Sequence, residues 1–254
     1  MYEEHAAFTA PSDPETVIWR YMSMPQFIDM LKRNALWFTQ LGSQLDPFEG
    51  VPDDATLEEH RETDEYVRSL VIKQGGLSSE EAEAVPRLPI PHPRDFTYVN
   101  CWHMNDYESL AMWSAYGDKG IAIRSSFIRL AESFRDTPQP IFIGVVTYRD
   151  RRDPKSADGL LGNLLRFATR KGMSFEYERE LRAATTQAPT QTFPPRFETG
   201  ISVEPVDLDV LVDCIYVAPG SQGWIKQLVR RVMARYKLNK KLVDSDLESR
   251  PNLT

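Results

Sequence analysis

Apolar positions along this chain recur with periods that change at short polar breaks, and each change marks an element boundary. Val17 to Met22 has the β-branched and aromatic character of a strand. Ser23, with Gln26 three residues later, is a capping box that opens a helix burying Phe27, Ile28 and Leu31, and Asn34 closes it. Leu36 to Thr39 returns as a strand and runs into an Asp46-Pro47 turn, where proline fixes φ and the aspartate can bond local backbone. An acidic helix is expected over Leu57 to Lys73, ended by Gly75-Gly76, with a short second helix capped by Ser78 and Glu81. The Pro86 to Pro93 segment reads as an extended connector. Beyond it the pattern predicts a strand over Phe96 to Trp102, a short helix over Asp106 to Tyr116, and a strand over Gly120 to Arg124. A helix over Phe127 to Phe134 follows, then a long apolar strand over Ile141 to Tyr148, expected at the centre of a sheet.

Further on, Leu160 to Arg170 reads as helix, Glu178 to Thr185 as strand, Ala188 to Phe197 as loop and Val210 to Val217 as strand. Gln222 to Tyr236 shows the clearest helical stripe, with Trp224, Ile225, Leu228, Val229, Val232 and Met233 expected against the sheet, and a last strand is expected near Lys241 to Val243. Strands and helices interleave without the even alternation of a doubly wound fold. The predicted class is therefore α+β: a single domain over residues 16–254, with a mixed or mainly antiparallel sheet and flanking helices, preceded by a flexible arm over residues 1–15.

Composition adjusts this picture little. A hydrophobic share of 41% is enough for a core, and the longest apolar runs are far too short to span a bilayer, so a cytoplasmic protein without membrane contact is expected. Cys101 and Cys214 are widely separated, and His5, His60, His92 and His103 share no ligand spacing, so neither a disulfide framework nor a metal is predicted. A net charge of −7 argues against indiscriminate nucleic-acid binding, but the charge is uneven. An acidic stretch runs from Asp53 to Glu65. A basic one from Lys226 to Lys241 is a candidate nucleic-acid contact, or else a solvated helix face.

The chain also carries an ordered set of aromatic and acidic blocks: Ile18-Trp19-Arg20-Tyr21, Leu36-Trp37-Phe38 running into Leu45-Asp46-Pro47-Phe48-Glu49, Met112-Trp113-Ser114-Ala115-Tyr116-Gly117, and Phe175-Glu176-Tyr177-Glu178-Arg179-Glu180-Leu181-Arg182. In order and content they resemble a bacterial family described as domain of unknown function 2971. Leu45 stands where that family usually has Asn, and Ala115 where it has His. The resemblance implies a bacterial or phage setting and keeps Asp46 as a candidate near a site.

Glu178 and Glu180 are the first place to look for chemistry, because two carboxylates on one strand face repel unless cations or a polar ligand compensate them, and Arg182 follows on that face. This element is distantly similar to the Glu-x-Glu strand of mono-ADP-ribosyltransferases, which also carry an Arg or His on an early strand and an aromatic, hydroxyl-bearing middle motif. That similarity implies an ADP-ribosyltransferase-like fold. It also implies NAD as substrate, a macromolecular acceptor of unknown identity, and a role as a toxin or phage-defence effector. It gives Glu180 and Glu178 catalytic roles, with Arg20, Tyr21, Trp113, Ser114 and Tyr116 at the nucleotide. Breaking the nicotinamide glycosidic bond develops oxocarbenium character, which a carboxylate on the ribose stabilises, while a second carboxylate orients or deprotonates the acceptor. NAD glycohydrolysis is the same chemistry with water as acceptor. The competing reading is a non-catalytic nucleotide- or nucleic-acid-binding module. The two are separated by whether Arg20, Tyr116 and Glu180 converge on one cleft.

Overall fold

The computed structural model describes residues 1–51, 93–116, 120–150, 164–187 and 198–248, together with Glu65 and Ser69. The expected helices between Leu57 and Glu81, most of the Pro86 to Pro93 connector and the 188–197 loop lie outside the described residues. The strands are β1 (Val17–Met22), β2 (Leu36–Gln40), β3 (Thr97–Met104), β4 (Ile121–Ser126), β5 (Phe142–Val145), β6 (Thr147–Arg149), β7 (Arg170–Gly172), β8 (Glu180–Thr186), β9 (Gly200–Val203), β10 (Cys214–Val217) and β11 (Lys241–Val243). Nine of them form one sheet, antiparallel except where β11 lies parallel to β10; β6 and β7 pair separately. This is the expected α+β architecture.

The hub of the sheet is β3, not the 141–148 segment. That apolar run breaks into β5 and β6, and β5 pairs with β8 at one side of the sheet, where the backbone of residues 1–9 bonds to it. Along one edge β3 pairs with β8 from Thr97↔Thr186 to His103↔Glu180. The other edge is shared: β1 takes the far end through Ile18↔Met104 and Trp19↔His103, and β2 takes the near end through Thr39↔Val99 and Gln40↔Tyr98. Between these partners the sheet splits, and side chains satisfy the opened backbone. Arg20 Nη1 donates to the Cys101 carbonyl at 2.9 Å, and Asn100 Nδ2 donates to the Trp37 carbonyl at 2.8 Å.

One face of the sheet carries the main core, in which Ile18, Phe38, Trp102, Ile123 and Leu181 meet the helices Met24–Arg33, Phe127–Ser133, Leu208–Leu211 and Gly223–Arg235. The first helix starts at the predicted capping box and ends at Asn34, whose φ of 51° is left-handed. The C-terminal helix is rotated from its expected seating. Val229 and Met233 are buried, Ile225 and Val232 pack at the edge, and Trp224 and Leu228 face outward at 60% and 38% exposure. The expected 210–217 strand is the Leu208–Leu211 helix followed by β10, and the expected 160–170 helix is, within the described residues, a 3-10 turn at Leu164–Thr169 leading into β7.

The opposite face carries two smaller clusters, one around Phe8, Leu41, Val99 and Ala184, the other around Trp19, Tyr21, Met112 and Trp113. Residues 1–15 were expected as a flexible arm. Instead Ala7 and Phe8 are buried in the first cluster, the Glu3 amide donates to the Ile141 carbonyl, and the Ile141 and Val145 amides donate to the Met1 and Thr9 carbonyls.

Candidate active site

Alternation along β8 sends Leu181 and Ala183 into the main core and turns Glu180 and Arg182 to the opposite face, beside His103 and Cys101 of β3. Glu178 was expected on the same strand. It ends the 3-10 turn Met173–Glu178 instead, and Arg179 lies between the two carboxylates in the left-handed region at φ 42°. The kink nonetheless returns Glu178 to the same point: Lys171 Nζ of β7 sits 2.5 Å from Glu178 Oε2 and 2.5 Å from Glu180 Oε1.

The charges continue inward. Arg182, fully buried, donates through Nε to Glu180 Oε2 at 2.6 Å and through Nη1 to the Ala168 carbonyl, and pairs with Glu49 at 2.5 Å. Glu49 is delivered by the Asp46-Pro47 turn, in which Asp46 Oδ1 accepts from the Phe48 amide and the Asp46 carbonyl from the Glu49 amide, both at 3.0 Å. Asp46 thus shapes the turn. Glu49 is the group that reaches the network, and it was missed although it closes the same sequence block. Lys171, His103 and Tyr148, whose hydroxyl accepts from the Glu180 amide at 2.8 Å, were missed as well; nothing in their local sequence sets them apart.

These surroundings drive the two carboxylates apart in acidity. Burial, reinforced by the neighbouring Glu180 carboxyl, raises Glu178 to about 7, opposed by Lys171. Burial also acts to raise Glu180, but the Arg182 charge, the bond with Glu178 and Lys171 outweigh it and hold this carboxyl well below the ordinary range. Lys171 is pushed up despite burial because Glu180 faces it. Burial, then the hydrogen bond to Glu178, raises the Tyr116 phenol, whose hydroxyl donates to Glu178 Oε1 at 2.8 Å. Cys101 is pushed up to about 12 by burial and by Glu180, so its thiol stays protonated.

Arg20, Tyr21, Tyr116, Glu178 and Glu180 all line one cavity of about 210 Å3, at the split between β1 and β2. A second cavity of about 390 Å3 shares Arg20, Tyr21, Gln26 and Thr39 with the first and extends to Trp37, whose indole is 50% exposed. That indole lies so close over Gly200 that a Cβ there would come within 2.3 Å of it. Arg20 stands where the two cavities meet, its guanidinium 6.0 Å from the Trp102 ring. No carboxylate among the described residues pairs with Arg20, and burial lowers its pKa.

The remaining sequence candidates fall elsewhere. Trp113 is buried in the cluster beside Tyr21, with ring centroids 5.0 Å apart, its Nε1 donates to Glu108, and it borders a separate groove and not the cavity of Glu178 and Glu180. Ser114 donates to the Leu110 carbonyl and borders a separate groove with Trp224, because its helix turns it away from Tyr116. Arg182 lies behind Glu180 and does not border the cavity. Among the described residues there is no cluster of acidic, His and Cys side chains fit to hold a metal ion, and no helix long and apolar enough to cross a membrane.

No family model matches the chain, and no curated protein does; the resemblance to domain of unknown function 2971 is not confirmed. Among solved structures the chain is similar to Thermus sp. 2.9 DarT in complex with NAD+, at 9% identity and a TM-score of 0.36, over 95% of this chain and 100% of that one. At that score the pairing carries no argument for function, and the functional reading stands on the geometry above.

Proposed function

We propose that the chain is an ADP-ribosyltransferase-like enzyme that cleaves NAD at the nicotinamide glycosidic bond and passes the ADP-ribosyl group to an acceptor or to water. The observation that carries this reading is the convergence of Arg20, Tyr116, Glu178 and Glu180 on one cavity, with the two carboxylates divided in acidity. Such a division assigns acid–base roles. Glu180, ionised throughout, opposes the positive charge that grows on the ribose as the C1′–N bond breaks and nicotinamide leaves with the bonding pair. Glu178, titrating near neutrality, takes the proton of the acceptor hydroxyl, amine or water as its new bond to C1′ forms.

The paired cavities fit an elongated ligand. Arg20, a cation without a countercharge among the described residues, is placed to take the central diphosphate. The nicotinamide riboside would occupy the inner cavity, and the second base would lie against the Trp37 indole. The test is Glu180→Gln, which keeps the shape and removes the charge. Nicotinamide release should fall by at least about 100-fold while NAD binding by calorimetry survives, since the loss belongs to the transition state. Undiminished release by Glu180→Gln and by Glu178→Gln would leave the carboxylates structural and the enzyme reading without basis.

A further inference from the structure

Among the described residues that border the inner cavity, His103 carries a fully buried ring nitrogen with no hydrogen-bond partner. It lies on β3 opposite Glu180, is 3% exposed, and borders the cavity. Its Nδ1 is 2.6 Å from the Glu178 carbonyl oxygen. A carbonyl oxygen can only accept, so Nδ1 carries the proton and Nε2 keeps its lone pair. Burial, aided by the Arg179 charge and opposed by the bond to the Glu178 carbonyl, lowers the pKa and keeps the ring neutral. Nε2 has no hydrogen-bond partner among the described residues. An acceptor withdrawn from water in this way is unfavourable until a donor meets it.

We propose that His103 is a ligand-binding residue whose Nε2 accepts a hydrogen bond from a hydroxyl of the ligand's sugar. The chemistry of the wall selects the donor. Glu178 and Glu180 add acceptor oxygens beside His103, and Lys171 is already committed to both of them. A phosphate, which brings only acceptors and negative charge, would be repelled here. The vicinal hydroxyls of a ribose supply adjacent donors, so the cavity reads a ribose and discriminates against a sugar lacking one hydroxyl. This rests on the nucleotide reading above for the choice of sugar, but not on NAD cleavage.

The experiment titrates the full chain with NAD, 2′-deoxy-NAD, 3′-deoxy-NAD and nicotinamide riboside. Binding is followed by calorimetry and by the 15N resonances of the His103 ring. NAD should shift the Nε2 resonance and leave Nδ1 in place. His103→Phe should weaken NAD by about tenfold, the scale of one buried hydrogen bond. His103→Gln, which can offer an oxygen near the Nε2 position, should recover most of the loss. One deoxy analogue should bind the unaltered protein more weakly than NAD, yet bind His103→Phe no differently from NAD. If NAD binds while Nε2 does not move, the proposal is overturned and the NAD reading stands; this arm needs no variant to fold. If nicotinamide riboside binds and shifts Nε2 while NAD does not bind, the NAD reading fails and the proposal stands. Failure of every riboside to bind would overturn both.

Discussion

Glu178 and Glu180 are two residues apart, and their surroundings push them in opposite directions, Glu178 up to about 7 and Glu180 well below the ordinary carboxylate range. The consequence is measurable. Turnover should rise with pH to a plateau with a midpoint near 7, the value to which burial raises Glu178, and Glu178→Gln should flatten that limb; an unchanged limb in the variant would assign the titration to another group. The same shift has a sign for stability. A carboxyl that ionises near 7 when folded, against its ordinary 4.5, binds more protons in the folded state across that interval. Its contribution therefore declines as pH rises from 4.5 toward 7, and Glu178→Gln should remove that decline in urea denaturation curves taken across the interval. The carboxylates, Arg20 and Tyr116 were legible in the sequence because residue type and order suffice to suspect them. Glu49, Lys171 and His103 were not, because each acquires its meaning from a partner brought by another element, as Glu49 does from Arg182.

The elements that place these side chains follow local rules where the rule is local. The Ser23–Gln26 capping box and the left-handed Asn34 stand where the sequence put them. Sheet order was not readable in the same way. The 141–148 run is apolar like a central strand, yet its burial comes from β8 on one side and the packed N-terminal segment on the other. The seating of the C-terminal helix shows a finer limit, since a stripe with six apolar positions leaves its rotation open by one residue. Met233→Ala should cost about 2 to 5 kcal/mol, whereas Leu228→Ala should cost less than about 1 kcal/mol. Equal costs in urea denaturation would contradict the rotated seating. At β8, Arg182→Met should destabilise by about 3 to 5 kcal/mol, because Glu49 would be left buried without the Arg182 cation and Glu180 would keep Lys171 alone. A neutral outcome there would show that the charge network is not what holds the Asp46–Glu49 turn against the strand.

At the scale of the molecule, the split of the sheet at β3 organises everything the site needs: two cavities that meet at Arg20, an acidic pair on one side and an open indole on the other. The basic C-terminal region is a separate surface. Lys226 is paired with Asp244 and Lys240 donates to the Asp209 carbonyl, while Arg230, Arg231 and Arg235 are exposed. If this face holds a nucleic-acid acceptor, Arg230→Glu with Arg235→Glu should weaken binding to DNA or RNA and flatten its salt dependence. Binding that is absent or insensitive to salt in the unaltered protein would identify a solvated face. The cleft itself is tested most directly by a crystal structure of the full chain grown with NAD. The diphosphate should lie on Arg20, the nicotinamide ribose beside Glu178, Glu180 and Tyr116, and the second base against Trp37; NAD bound at another surface, or a cleft left unfilled at saturating NAD, would contradict this arrangement.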